Sequence, residues 1–210
     1  MRLKALIIPA LLISLLSFPS ICFASTVQYM TNDYGSKSSN LWYSDVTTYM
    51  NNCGYSYSRI SDPSASTILN NMGNKDIFVW SGHGESGKMV TTGSFHVYGK
   101  NTIYCIEDDL NSGSFTNEIV WFQGCDQASY SSSNGNLLFE CRDKSSYGGK
   151  FYGVDMTYLW ASGRTWNFET WKNMAVNSFS FDEAIFVGAN KAGEHDWMGF
   201  NSSHVLTVGS

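Results

Sequence analysis

The chain has 210 residues with 13 basic and 18 acidic side chains, a net charge of −5 and 43% apolar residues. Without residues 1–24, which contain Arg2 and Lys4, 11 basic side chains face 18 acidic ones, a balance of about −7 that argues against nucleic acid as a partner. The 186 residues from Ser25 onward are enough for one hydrophobic core but too few for two domains of the usual roughly 100 to 150 residues, so a single domain over 25–210 is expected.

The amino terminus reads as a secretory signal peptide: Arg2 and Lys4 precede the apolar run Ala5 to Phe18, and Cys22-Phe23-Ala24 has the small-residue character of a cleavage site. The run contains Pro9 and falls short of the roughly 20 residues that span a bilayer, so cleavage is predicted over a retained membrane anchor. Cys22 follows Ile21 and not the small residue of a lipobox, which argues against a lipoprotein. A mature, secreted or periplasmic chain from Ser25 is the expectation.

From there short apolar strands alternate with amphipathic helices, the pattern of a mostly parallel sheet covered on both faces. Thr26 to Thr31 is predicted as the first strand. A helix follows over Asn40 to Cys53, where Leu41, Trp42, Val46, Tyr49, Met50 and Cys53 share one side and Gly54 supplies the C-cap. Ser56 to Ile60 is the second strand. Asp62-Pro63 is read as N-cap and first turn of a helix ending near Met72.

Two apolar strands then run straight into reactive residues. Asp76 to Trp80 leads into Ser81-Gly82-His83-Gly84-Glu85, and Glu118 to Phe122 leads into Gln123-Gly124-Cys125-Asp126. Between them, Gly87 to Leu110 alternates Val90, Phe95, Val97, Tyr98, Ile103 and Tyr104 with polar residues, as in a hairpin at the sheet edge. Ser129 to Asn136 reads as a loop, Leu137 to Ser145 as a helix and Phe151 to Met156 as a strand. Trp166 to Phe179 has helical spacing, Ser180 with Glu183 forms a capping box for a last helix toward Asn190, and His204 to Val208 closes the chain as a strand.

A thiol is only slightly ionised at neutral pH and needs a nearby imidazole to become an effective nucleophile. His83 and Cys125, 42 positions apart, meet only if their parallel strands end at one edge of a sheet, where loops usually carry function. Gly84 lets the backbone turn with its N–H exposed, Gly124 leaves room for close approach of a substrate, and two such amides can bind an oxyanion.

The segment Phe78-Val79-Trp80-Ser81-Gly82-His83-Gly84-Glu85-Ser86-Gly87 resembles the caspase segment ending in Ser-His-Gly-Glu-x-Gly. Gln123-Gly124-Cys125 is similar to the Gln-Ala-Cys of caspases, whose His lies about 50 residues upstream. The wider caspase-like group includes legumains, gingipains, clostripain and separase, and most of residues 26–210 can be laid over its six-stranded α/β/α sandwich. The resemblance implies a cysteine peptidase without a cofactor, acting on a peptide or protein substrate. Cys125 would attack the scissile carbonyl, His83 would handle protons, and the Gly84 and Cys125 amides would bind the oxyanion. The residue two positions before the nucleophile often lines the S1 pocket in this group; here it is Gln123, whose neutrality disfavours a basic residue before the scissile bond. The chain departs from caspases proper in Gly124 for Ala and Asp126-Gln127 for Arg-Gly.

The competing readings are structural. Cys53, Cys105, Cys125 and Cys141 form an even set in an oxidising compartment; if Cys125 is catalytic, one pair plus one free thiol is expected, and otherwise three connectivities remain open. Glu85 reads as a solvated turn residue and Asp126 as a cap on the following turn. No metal is expected, because His96, His195 and His204 lack ligand spacing with the cysteines and Glu107, Asp108 and Asp109 lack an EF-hand pattern. Among Tyr158, Trp160, Trp166, Phe168 and Trp171, helical spacing points to core and away from a ligand platform. Asn32 and Asp33, just past the first strand, are candidates for orienting His83 or shaping S1. An inactive caspase-like binding module, and acyl transfer to an amine through the same thioester, are the alternatives to hydrolysis.

Overall fold

The computed structural model describes residues 25–32, 38–110, 117–145, 149–155, 160–193, 197–201 and 205–208. The predicted leader, Asp33, Tyr158, His195 and His204 lie outside them. In chain order the elements are β1 (Thr26–Thr31), α1 (Ser38–Asn52), β2 (Ser56–Ser61), α2 (Ala65–Met72), β3 (Ile77–Ser81), β4 (Gly84–Glu85), β5 (Lys88–Met89), β6 (Val97–Tyr98), α3 (Ile106–Asp109), β7 (Ile119–Gln123), α4 (Leu137–Lys144), β8 (Lys150–Val154), α5 (Trp160–Asn177), α6 (Phe181–Ala192), β9 (Trp197–Asn201) and β10 (Val205–Val208).

The main sheet runs β10-β9-β8-β7-β3-β1-β2. The five strands β2, β1, β3, β7 and β8 are parallel, while β9 pairs antiparallel with both β8 and β10. The apolar runs of β3 and β7 are continuous because both faces are covered, and their residues alternate between two cores. Phe78, Trp80, Val120 and Phe122 pack with Leu69 and Met72 of α2 and Leu138 and Cys141 of α4. Ile77, Val79, Ile119 and Trp121 pack with Val46 and Met50 of α1, Trp166 and Trp171 of α5, and Phe181 and Ile185 of α6. This is a three-layer α/β/α sandwich, as the alternation predicts, with seven strands in place of the expected six.

Local signals explain most boundaries. Gly54 follows α1 with φ +78 and donates to the Asn51 carbonyl at 2.9 Å. The capping box of α6 is formed by Ser180 and Glu183, and Gly193 ends that helix in the left-handed region at φ +72. Helix α5 starts at Trp160, six residues earlier than its apolar spacing indicates, and Ser178 at φ +56 follows its end.

The start of α2 corrects the sequence reading. Asp62 is not its N-cap: it has φ +48 and its N–H donates back to the Thr31 carbonyl at 2.7 Å. Ser64 caps the helix, accepting from the Thr67 N–H at 3.2 Å. The predicted hairpin between the reactive strands is a separate three-stranded antiparallel sheet, β4-β5-β6, and not an edge of the main sheet. Strand β9 has no counterpart in the sequence reading.

Candidate active site

The carboxyl ends of β1, β3 and β7 set the site. Chain order reverses direction between β1 and β3, the place in an open α/β sheet where a crevice forms. Thr31 pairs with Ser81, and Ser81 with Gln123, so these three residues stand in one row across adjacent strands. Each of the two reactive residues lies two positions beyond that row, His83 after β3 and Cys125 after β7. Parallel strands about 4.8 Å apart thus launch both loops from the same level.

Beyond the strands the two loops stay in contact. A β-carbon built on Gly84 would stand 2.5 Å from the Cys125 carbonyl oxygen, and one on Gly124 would stand 2.8 Å from the Gly82 carbonyl oxygen. Only backbone without side chains fits here. His83 is exposed and Cys125 half-buried, so both face accessible space. A depression of about 260 Å³ lies beside His83, lined also by Gly84, Glu85 and Val90.

Asn32 is buried at 2% exposure and ties down the histidine loop. Its N–H donates to the Ser81 carbonyl at 3.1 Å and its side-chain amide to the Val90 carbonyl at 2.5 Å. The Val90 N–H in turn donates to the His83 carbonyl at 3.1 Å, and the Trp80 indole N–H to the same oxygen at 3.3 Å. Asn32 thus fixes the backbone that carries His83. The second candidate from this strand end, Asp33, lies outside the described residues.

Gln123 is also displaced from its expected role. It is 1% exposed, and its side-chain amide donates to Asn167 Oδ1 at 2.9 Å beneath α5. The same Asn167 oxygen accepts from the Tyr29 hydroxyl at 2.5 Å, and the Trp171 indole donates to that hydroxyl at 2.8 Å. Burial pushes the Tyr29 phenol well above the ordinary tyrosine range, with the hydrogen bonds it makes to Trp171 and Asn167 offsetting part of the effect. Gln123 therefore anchors the end of β7 to the helical layer and does not line a substrate pocket. In the sequence it shares parity with Ile119 and Trp121, which is the signal for an inward residue.

The sequence reading gives Gln127 no role. Its side chain is fully buried, and neither amide atom has a hydrogen-bond partner among the described residues. It fills the space that β-carbons on Gly84 and Gly124 would need: its Cγ would be 2.3 Å from the first and its Oε1 2.4 Å from the second. Gly124 therefore admits Gln127, not a substrate.

The remaining candidates are structural. Glu85 pairs with Lys88 at 2.7 Å on the surface. Asp126, at φ +54, opens a turn in which its carbonyl accepts from the Ser129 N–H at 3.1 Å. Asp109 accepts from the Cys105 N–H at 2.9 Å, and Trp166 and Trp171 are core. Among the described residues Cys53, Cys105, Cys125 and Cys141 form no disulfide, where one pair is expected if Cys125 is catalytic. Cys141 is buried among apolar side chains, which pushes its thiol far up.

The fold is consistent with a caspase-like α/β/α sandwich. Among solved structures, the chain is similar to one in the complex of Porphyromonas gingivalis RgpB pro- and mature domains, with a TM-score of 0.57 and 12% identity. The match covers 88% of this chain and 49% of that one, so the chain spans about half the length of the gingipain chain. No family model and no curated protein sequence matches it.

Proposed function

We propose that the chain is a cysteine endopeptidase in which Cys125 and His83 form a catalytic couple. One observation carries the proposal: β3 and β7 are paired in register, and His83 and Cys125 each follow that register by two residues, in loops whose backbones touch. Fold likeness alone would not support chemistry.

In this reading the imidazole of His83 accepts the Cys125 thiol proton, and the thiolate adds to the scissile carbonyl. The backbone amides of Gly84 and Cys125 bind the resulting oxyanion. Collapse of the tetrahedral intermediate breaks the C–N bond; the amine leaves with the proton from His83, and Cys125 is left as a thioester. His83 then takes a proton from water as the water attacks, releasing the acid and restoring the thiol. The nucleophile is supplied by the chain itself, so the scheme uses no cofactor. The substrate is a peptide or protein, met outside the cytoplasm after loss of residues 1–24.

The burial of Gln123 leaves the S1 position without an assigned side chain, which favours one competing reading, a caspase-like binding module without turnover. Both are decided by incubating residues 25–210 and a Cys125→Ala variant with a positional library of fluorogenic peptides under mildly reducing conditions. Cleavage by the parent and not by the variant supports the peptidase; peptide binding without cleavage by either supports the module.

A further inference from the structure

The small sheet that begins at Gly84 extends the candidate active site toward a second depression. Gly84 pairs with Met89 and Glu85 with Lys88; Lys88 pairs with Tyr98 and Met89 with Val97. One step further toward the active site, His83 meets Val90 through the 3.1 Å hydrogen bond, and continuing the β5–β6 register by one residue brings His96 opposite Val90. Because successive strand residues face opposite sides, Met89 and Val97 point inward, where both are fully buried. His83, Val90 and His96, followed by Glu85, Lys88 and Tyr98, share the outer face. The contacts agree: Lys88 pairs with Glu85 and lies 5.9 Å from the centre of the Tyr98 ring, which is 6.3 Å from the His96 ring.

At the far end of this face Phe95, His96, Tyr98, Ile103 and Tyr104 line a depression of about 270 Å³. Phe95 and Ile103 on its rim are 57% and 77% exposed, two of the five large apolar side chains exposed among the described residues. Single exposed apolar residues are ordinary, whereas two on the rim of one cavity mark a place where apolar groups are received. The volume is below the roughly 300 to 1,000 Å³ of pockets for drug-sized ligands and suits one side chain. No carboxylate or lysine among the described residues lines it, and partial burial with Lys88 nearby holds the His96 imidazole below its ordinary range, which keeps this lining neutral.

We propose that this depression is a substrate subsite that takes a large apolar or aromatic side chain about three residues from the scissile bond. The distance follows from the register, since two strand spacings of about 4.8 Å separate His83 from His96 and an extended peptide advances about 3.3 Å per residue. The inference rests on the proposed peptidase reading for its reference point, the scissile bond, and its test separates the two.

Peptides that differ only in Phe or Ser at each position up to four residues either side of the cleavage site are compared with the parent and with Ile103→Ser. Ile103 is exposed, so this substitution leaves the fold and Tm unchanged within error. The expected result is a preference of at least about 10-fold in kcat/KM for Phe at one position near the third, the usual worth of an apolar pocket, and its loss in Ile103→Ser. The same peptides are titrated against Cys125→Ala by fluorescence anisotropy. Phe-dependent binding that Ile103→Ser abolishes, in the absence of cleavage by the parent, upholds the subsite and overturns the peptidase. Cleavage without a Phe preference, a preference indifferent to Ile103→Ser, or neither cleavage nor binding overturns the subsite. A change in oligomeric state in Ile103→Ser without any effect on peptides also overturns it, in favour of a contact between copies of this chain.

Discussion

The packing of Gln127 against two glycines gives a quantitative prediction for Gly124→Ala. The added methyl would stand 2.4 Å from Gln127 Oε1, 2.6 Å from its Cδ and 2.8 Å from the Gly82 carbonyl oxygen, all inside contact distance. Overpacking of this kind costs about 1–3 kcal/mol, offset by about 0.4–1 kcal/mol because alanine restricts the unfolded chain. A net loss of roughly 1–2 kcal/mol lowers Tm by about 2–8 °C in a domain of this size. Truncating the amide in Gly124→Ala/Gln127→Ala removes the two shortest contacts and leaves the longer one to Gly82. The two substitutions should then couple favourably by at least about 1 kcal/mol in a double-mutant cycle measured by urea unfolding. Gly93→Ala is the control, since a β-carbon there meets nothing nearer than Thr91 Oγ1 at 3.9 Å. A Gly124→Ala protein as stable as the parent, or additive effects within about 0.5 kcal/mol, would refute the packing account.

Three further outcomes follow from local features. Ser64→Ala should cost about 1 kcal/mol through loss of the α2 cap, lowering Tm by roughly 2–4 °C, whereas Asp62→Ala should leave no such capping loss; thermal melts of the two variants decide which residue caps. Burial raises the pKa of Tyr29 and Tyr152, with the Asp182 carboxylate adding to the second, so both contributions are intact below pH about 10, where unfolded tyrosine titrates, and are lost as pH rises beyond it. Tm should therefore fall above pH 10, and Tyr29→Phe should flatten that slope; identical slopes would sink the assignment. In residues 25–210, alkylation should label Cys125 first and Cys53 more slowly, with Cys105 and Cys141 reacting only on unfolding, as read by peptide mass mapping.

The sandwich itself was legible because β3 and β7 are unbroken apolar runs and the intervening helices carry periodic faces and caps. Register was not, since it is fixed by cross-strand pairing that only the assembled sheet defines, and the level of His83 against Cys125 depends on it. The two-residue strands β4, β5 and β6 are too short for any period to emerge, which is why a separate sheet was read as an edge hairpin. Strand β9 was missed because Gly199 interrupts its apolar run. The parity of Gln123 with Trp121 did point it toward one helical layer. That α5 covers this layer and offers Asn167 as a partner is a tertiary fact, and so is the convergence of Gly84 and Gly124 on Gln127.

These placements bear together on how a peptidase of this construction would discriminate among substrates. Gln123 is committed to Asn167, and through it to Tyr29 and Trp171, so it cannot select the residue before the scissile bond without breaking a buried network. Losing one partner of such a network leaves buried polar groups unsatisfied, at about 1–3 kcal/mol each, which favours its staying closed. Asn32 is likewise committed to holding the His83 loop. Among the described residues, what remains on the accessible surface near His83 is the outer face of the small sheet, with the Glu85–Lys88 pair and the apolar depression beyond. Exposed ion pairs contribute little, about 0–1 kcal/mol, whereas filling an apolar pocket with one side chain contributes roughly 1–3 kcal/mol. Selection should therefore be weak next to the cleaved bond and strongest some three residues away, so that a library varied only at the residue before the scissile bond would report little preference even from an active enzyme.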